Sequence, residues 1–98
     1  MSFYIKVHEN NERMLVSVCD TILIGKTLDE KGVYIEVSER FFKGDVKSEK
    51  ECEEVLDRAD SISFLGKESV DFGLKLSLIS KESIIKVQGM PYALVFSL

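Results

Sequence analysis

Residues Ser38 to Asp45 read Ser-Glu-Arg-Phe-Phe-Lys-Gly-Asp, two adjacent aromatics between two cations with a glycine closing the run. Ring faces stack bases and cations hold phosphates, and Phe and Arg also anchor protein interfaces, so this mixture suits a binding surface. Other groupings fit their chemistry less well. Gly25-Lys26-Thr27 imitates the end of a phosphate-binding loop. That motif needs a glycine five residues before its Gly-Lys pair and a helix after it, whereas position 20 is aspartate and a strand follows. Cys19 and His8 could pair as nucleophile and base, but a hairpin would hold them several residues apart along its length, beyond proton-transfer reach. One histidine and no CxxC spacing leave no transition-metal set, and no zinc or EF-hand pattern is present. Glu51, Glu53, Glu54 and Asp57 read as the solvated face of a helix. No catalytic or metal residues are assigned, and no cofactor is implied.

Composition bounds the rest. A chain of 98 residues with 45% hydrophobic content fits one domain, residues 1–98, with a core that needs neither disulfides nor metal. A net charge of −4 argues against a general DNA coater, since non-specific affinity rests on neutralised phosphates, but leaves room for a local basic patch. The charge is uneven, with Arg40, Lys43, Lys47 and Lys50 preceding the acidic run from Glu51 to Asp60. No signal peptide is expected, because Lys6 breaks the opening apolar residues, and no apolar run is long enough for a membrane helix. The expected location is the cytoplasm.

The elements that must position these residues follow from periodicity. Phe3, Ile5 and Val7 alternate with polar neighbours, as do Met14, Val16 and Val18. With Asn10-Asn11 as a two-residue turn, Val7 faces Met14, Ile5 faces Val16 and Phe3 faces Val18. Asp20 is expected to cap a short turn through Ile24 that Gly25 ends. Val33, Ile35 and Val37 form a third strand. Ser48 and Glu51 make a capping box for a helix whose apolar stripe is Cys52, Val55, Leu56 and Ala59. Ile62, Phe64 and Leu65 fit either a short strand or the end of that helix. A second helix spans residues 67–78, and residues 84–88 and 92–98 are strands.

Carrying the third strand's alternation onward puts Phe41 on the core side and Arg40 and Phe42 on the other, with Tyr34. If the strands share one sheet, that face shows Tyr4, Tyr34 and Phe42 among Lys6 and Arg40. The competing arrangement, in which Tyr4, Leu15 and Tyr34 pack beneath a helix as a second core face, carries slightly more weight.

Val18-Cys19-Asp20, Leu23, Gly25-Lys26, the run Glu36 to Phe42 with Gly44, and Ala59, Gly66 and Gly89-Met90-Pro91 resemble the archaeal "domain of unknown function 424" family over essentially the full length. Tyr92 stands where that family would place histidine. The resemblance implies an archaeal cytoplasmic protein without established enzymatic activity, loosely associated with RNA and translation. It carries that role only to Arg40, Phe41, Phe42 and Gly44, with Lys26 and Lys43 as neighbours.

The expected fold is therefore α+β, one domain with a mainly antiparallel sheet of four to six strands and two helices on one face. The expected function is a non-catalytic binding module for RNA or a ribonucleoprotein. The alternatives are a protein–protein adaptor on the same Arg40-Phe41-Phe42-Lys43 surface and, third, a small enzyme. The candidate binding residues are Arg40, Phe42, Lys43, Gly44, Lys26, Lys6 and Tyr34.

Overall fold

The computed structural model describes residues 3–96. Strands β1 (Phe3–Asn10) and β2 (Arg13–Asp20) form the first hairpin. Its turn is Asn11-Glu12, with φ of 50° and 66°, one residue later than the sequence suggested. Two positive φ values match the right-handed twist of the flanking strands. The register accordingly moves by two, pairing Val7 with Val16 and Ile5 with Val18. An even shift keeps every side chain on its face, so Ile5 and Val7 still meet apolar residues, while Phe3 now faces Asp20 and Met14 faces Glu9.

After a 3-10 turn at Thr21–Leu23 comes a second hairpin, β3 (Thr27–Glu30) and β4 (Val33–Glu36), closed by Lys31-Gly32. Strand β3 was not expected, and the hairpin forms its own two-stranded sheet rather than joining the first. The chain continues through α1 (Glu39–Phe42), α2 (Glu49–Leu56), β5 (Ser61–Leu65), α3 (Lys67–Lys75), β6 (Ile85–Val87) and β7 (Met90–Phe96). The main sheet has the order β1-β2-β5-β7-β6, with β2 and β5 parallel and every other pair antiparallel. This is the expected α+β domain. Ile62, Phe64 and Leu65 lie on its central strand.

One sheet face carries Phe3, Ile5, Val16, Val18, Ile62, Phe64 and Ala93 and is closed by Cys52 and Leu56 of α2 with Val70 and Phe72 of α3. The capping box holds as read, with Glu51 N–H donating to Ser48 Oγ at 3.2 Å and Ser48 N–H donating to Glu51 Oε1 at 3.0 Å. Gly73 lets α3 approach β5, since a Cβ there would lie 3.1 Å from the Phe64 ring. The second helix ends at Lys75, short of residue 78.

A second core lies on the opposite face. Cys19, Leu65 and Val87 of the sheet pack against Leu23, Leu28, Val37 and Phe42. The second hairpin and α1 are therefore its lid. A second core face therefore exists, but it is not the one the competing arrangement named. Tyr4, Leu15 and Tyr34 are outside it, Tyr34 is exposed on the second hairpin, and the cover is that hairpin and a single helical turn.

Asp20 joins the two halves. Its carboxylate makes no bond to the 3-10 turn it was expected to cap. Instead Oδ1 accepts from the N–H and the Oγ of Ser69, each at 2.8 Å, and Oδ2 accepts from Glu68 N–H at 3.2 Å. It thus satisfies two of the orphan backbone donors at the start of α3. The preceding Gly66 has φ of 108°, and a Cβ there would fall 2.2 Å from Asp20 Cγ. Pro91 in the interior strand β7 follows from the same junction. Gly66 N–H donates to the Pro91 carbonyl at 2.9 Å, while the Gly66 carbonyl turns into α3 to accept from Val70. No donor is needed at position 91, so proline is tolerated there.

Candidate functional site

The aromatic–basic segment does not continue strand β4. Ser38, with extended backbone, is the N-cap of α1, and its Oγ accepts from Phe41 N–H at 3.3 Å. Successive side chains on a helical turn are about 100° apart rather than opposed, so strand alternation fails at this serine. Phe42 is 7% exposed in the second core, and Phe41 is 37% exposed. The expected parity is reversed, and Phe42 is a core residue rather than a ligand-stacking one.

Phe41 has a defined partner instead. Its ring stacks on His8 with centroids 4.3 Å apart and planes inclined by 19°. His8 Nε2 lies 3.0 Å from the Phe41 carbonyl oxygen, which selects the tautomer with the proton on Nε2. Phe42 meets the edge of Phe41 at 4.8 Å. One turn of helix thereby pins the outer edge of β1 to the second core.

The other candidate residues disperse. Gly44 is half-buried where two segments approach closely: Ile5 and the neighbouring Asp45 exchange two backbone hydrogen bonds, at 2.8 and 2.9 Å. A Cβ on Gly44 would fall 2.0 Å from the Ile5 carbonyl oxygen. Its role is close approach rather than ligand contact. Lys43 is exposed and pairs with Glu39 at 3.4 Å. Arg40 is exposed on α1, and Lys6 is half-buried on β1. Tyr34 is 64% exposed but opposes Asp29 on the separate hairpin, so it shares no platform with Tyr4 and Lys6. Lys26 lines an open groove of about 530 Å³ with Ile22, Leu28 and Met90. The N–H groups of Gly25 and Lys26 donate to the Val37 and Leu23 carbonyls, so no phosphate cradle forms there.

The thiols are poorly suited to nucleophilic chemistry. Cys19 is buried opposite Tyr4, while His8 is opposite Leu15. Burial, reinforced by the Asp20 carboxylate, pushes the Cys19 thiol up to about 12. Burial also raises Cys52. Among the described residues no group of three metal-ligating side chains is present, and no helix is long and apolar enough to cross a membrane.

Sequence reasoning missed the open remainder of the second face. Pairing aligns Lys6, Ser17, Ser63 and Leu94 in one row and His8, Leu15, Ser61 and Phe96 in the next. Phe96 is 69% exposed and Leu94 45%. The hydroxyls of Ser17 and Ser63 are buried without a hydrogen-bond partner. The signal was the Ser-x-Ser alternation of β5 and the Leu-x-Phe alternation of β7, which cannot be placed without the strand order.

Residues 7–98 match the family described as "Protein of unknown function (DUF424)". The chain belongs to that family. Its fold is shared by an uncharacterized conserved protein from Methanopyrus kandleri, known from a crystal structure. The two superpose with a TM-score of 0.83 at 21% identity, over 98% of this chain and 91% of the other. No protein of curated function matches. Within this DUF424 chain, the Ser38-to-Gly44 signature is thus largely architectural, supplying a cap, a core ring and a close contact, with Arg40, Phe41 and Lys43 left at the surface.

Proposed function

We propose that the protein is a non-catalytic module that binds single-stranded RNA across the open part of its second sheet face. The observation that carries this reading is the row from the His8–Phe41 stack through Leu15 and Ser61 to Phe96. Its aromatic ends are three strand spacings apart, about 14 Å. Exposed rings at that separation offer two stacking stations, each worth roughly 1–3 kcal/mol by alanine replacement. Lys6 lies in the adjacent row, and Arg40 is exposed on α1, the turn that carries Phe41. With a net charge of −4, affinity comes from stacking more than from phosphate neutralisation. The family resemblance points the same way, and a thiol held at about 12 supports a role other than nucleophilic catalysis.

Photo-crosslinking to a short single-stranded RNA, with mapping of the labelled peptides, tests the reading. Adducts should concentrate on the β1–α1 and β7 peptides. Adducts confined to α2 and α3 would rule it out.

A protein-adaptor function is the second reading, favoured by one observation. Ile85, Leu94 and Phe96 are all exposed on β6 and β7 with no cation on that face of either strand. An apolar partner would suit that end alone.

A further inference from the structure

The outer edge of β1 is half used. Ile5 spends both backbone groups on Asp45, and there the crossover leaves the edge. Alternation in an antiparallel pair then turns Lys6, His8 and Asn10 toward β2 and leaves the N–H and C=O of Val7 and Glu9 facing outward. Beside them is a cleft of about 390 Å³ lined by Val7, Lys47, Val55 and Arg58. Edge strands are ordinarily blunted by charge, and two exposed charges flank this one. Arg58 and Glu9 are of opposite sign, and neither has an ion-pair partner among the described residues.

We propose that this edge pairs with the same edge of a second copy of the chain, antiparallel about a two-fold axis at His8. One register satisfies every constraint. Only outward-facing residues can exchange bonds, so Val7 must meet Glu9 of the partner subunit, and Glu9 the partner's Val7. That pairing forms four backbone hydrogen bonds. Centring on Val7 would set Glu9 against the Ile5 edge already held by Asp45. Centring on Glu9 would oppose two carboxylates. In the His8 register the strand on offer ends at Asn10, where the turn begins. It therefore stops where Asp45 occupies the edge.

Charge complements the register. Side chains of paired residues share a face, so the partner's Glu9 lies beside Val7 on the side where Arg58 lines the cleft, Lys47 there being paired with Asp45 at 3.9 Å. The interface is isologous, so each charge pair occurs twice. The row from Phe96 to His8 then runs on into the same row of the partner, and the two open faces become one surface. The pairing rests on the edge and its charges alone, and stands whether or not RNA is the ligand.

Sedimentation equilibrium of the full chain tests it. The wild type should dimerise at hundreds of micromolar. Arg58→Glu and Glu9→Arg should each weaken the dimer by about tenfold or more through like-charge contacts at both sites. Combining them should restore affinity to within about threefold of wild type, because the swap re-forms both pairs. Both residues are exposed, so thermal melts should confirm that each variant folds. A wild type that stays monomeric, single reversals that remain dimeric, or a double variant no better than the singles would overturn the proposal. A monomer whose β1 edge captures an acidic extended peptide would overturn it too, by assigning the edge to a foreign strand.

Discussion

Phe41 and Phe42 show how much one dihedral change decides. Phe42→Ala should cost about 3–5 kcal/mol, the usual loss for a buried ring. Phe41→Ala should cost no more than about 1.5 kcal/mol, since it forfeits an exposed stack. Chemical denaturation of the two variants measures the contrast, and equal losses would refute the assigned packing. Identity and spacing of these residues were legible in the sequence, but their facing was not. The serine that caps α1 could equally have continued β4, and only the tertiary fit of Phe42 beneath the second hairpin settles it. Ser17 and Ser63 give a second test. Removing a buried hydroxyl that lacks a partner should leave stability unchanged or raise it by up to about 1 kcal/mol. A Ser17→Ala variant that loses more than about 1 kcal/mol would show that the hydroxyl is hydrogen-bonded. Cys19 makes stability sensitive to alkali. The unfolded thiol ionises near 9 while the folded one resists to about 12, so folded molecules hold the extra proton between those values. Stability should therefore be complete below pH 9 and fall by up to about 1.4 kcal/mol per unit as pH rises through that window. Melts from pH 8 upward on wild type and Cys19→Ala would separate this loss from other titrations.

At the level of elements, the most informative contact is the one between Asp20 and α3. Strand β2 ends on a carboxylate that accepts three hydrogen bonds from the start of a helix more than forty residues later in the chain. Asp20→Ala should destabilise by about 2–3 kcal/mol, at the upper end of capping losses because the acceptor is charged and buried. Gly66→Ala should be worse, because the new Cβ lies inside van der Waals contact of that carboxylate. If either substitution is neutral in urea unfolding, this junction is not what holds β2, β5 and α3 together. The first hairpin and the α2 capping box were readable because their signals are local: alternation, a turn and a reciprocal cap. Asp20 looked like a local cap for the same reason. Its partner is distant, and no periodicity announces a long-range capping aspartate. Strand β3 escaped notice because Thr27 to Glu30 has one buried apolar residue, Leu28, and hides its pairing in the register with β4.

For the whole molecule, the α+β class followed from element order, whereas the split of the strands into two sheets did not. That split creates the second core, covers one end of the sheet and leaves the His8-to-Phe96 row open. The binding reading rests on this row, so it stands or falls with the exposed rings at its ends. Fluorescence anisotropy of a short single-stranded RNA, titrated with wild type, Phe96→Ala, Phe41→Ala and Phe96→Ala/Phe41→Ala, measures it most directly. Each single change should weaken binding by about 1–3 kcal/mol, the double by more, with a shallow salt slope set by few phosphate contacts. Equal affinity for all four proteins, or no binding by the wild type, would contradict the account.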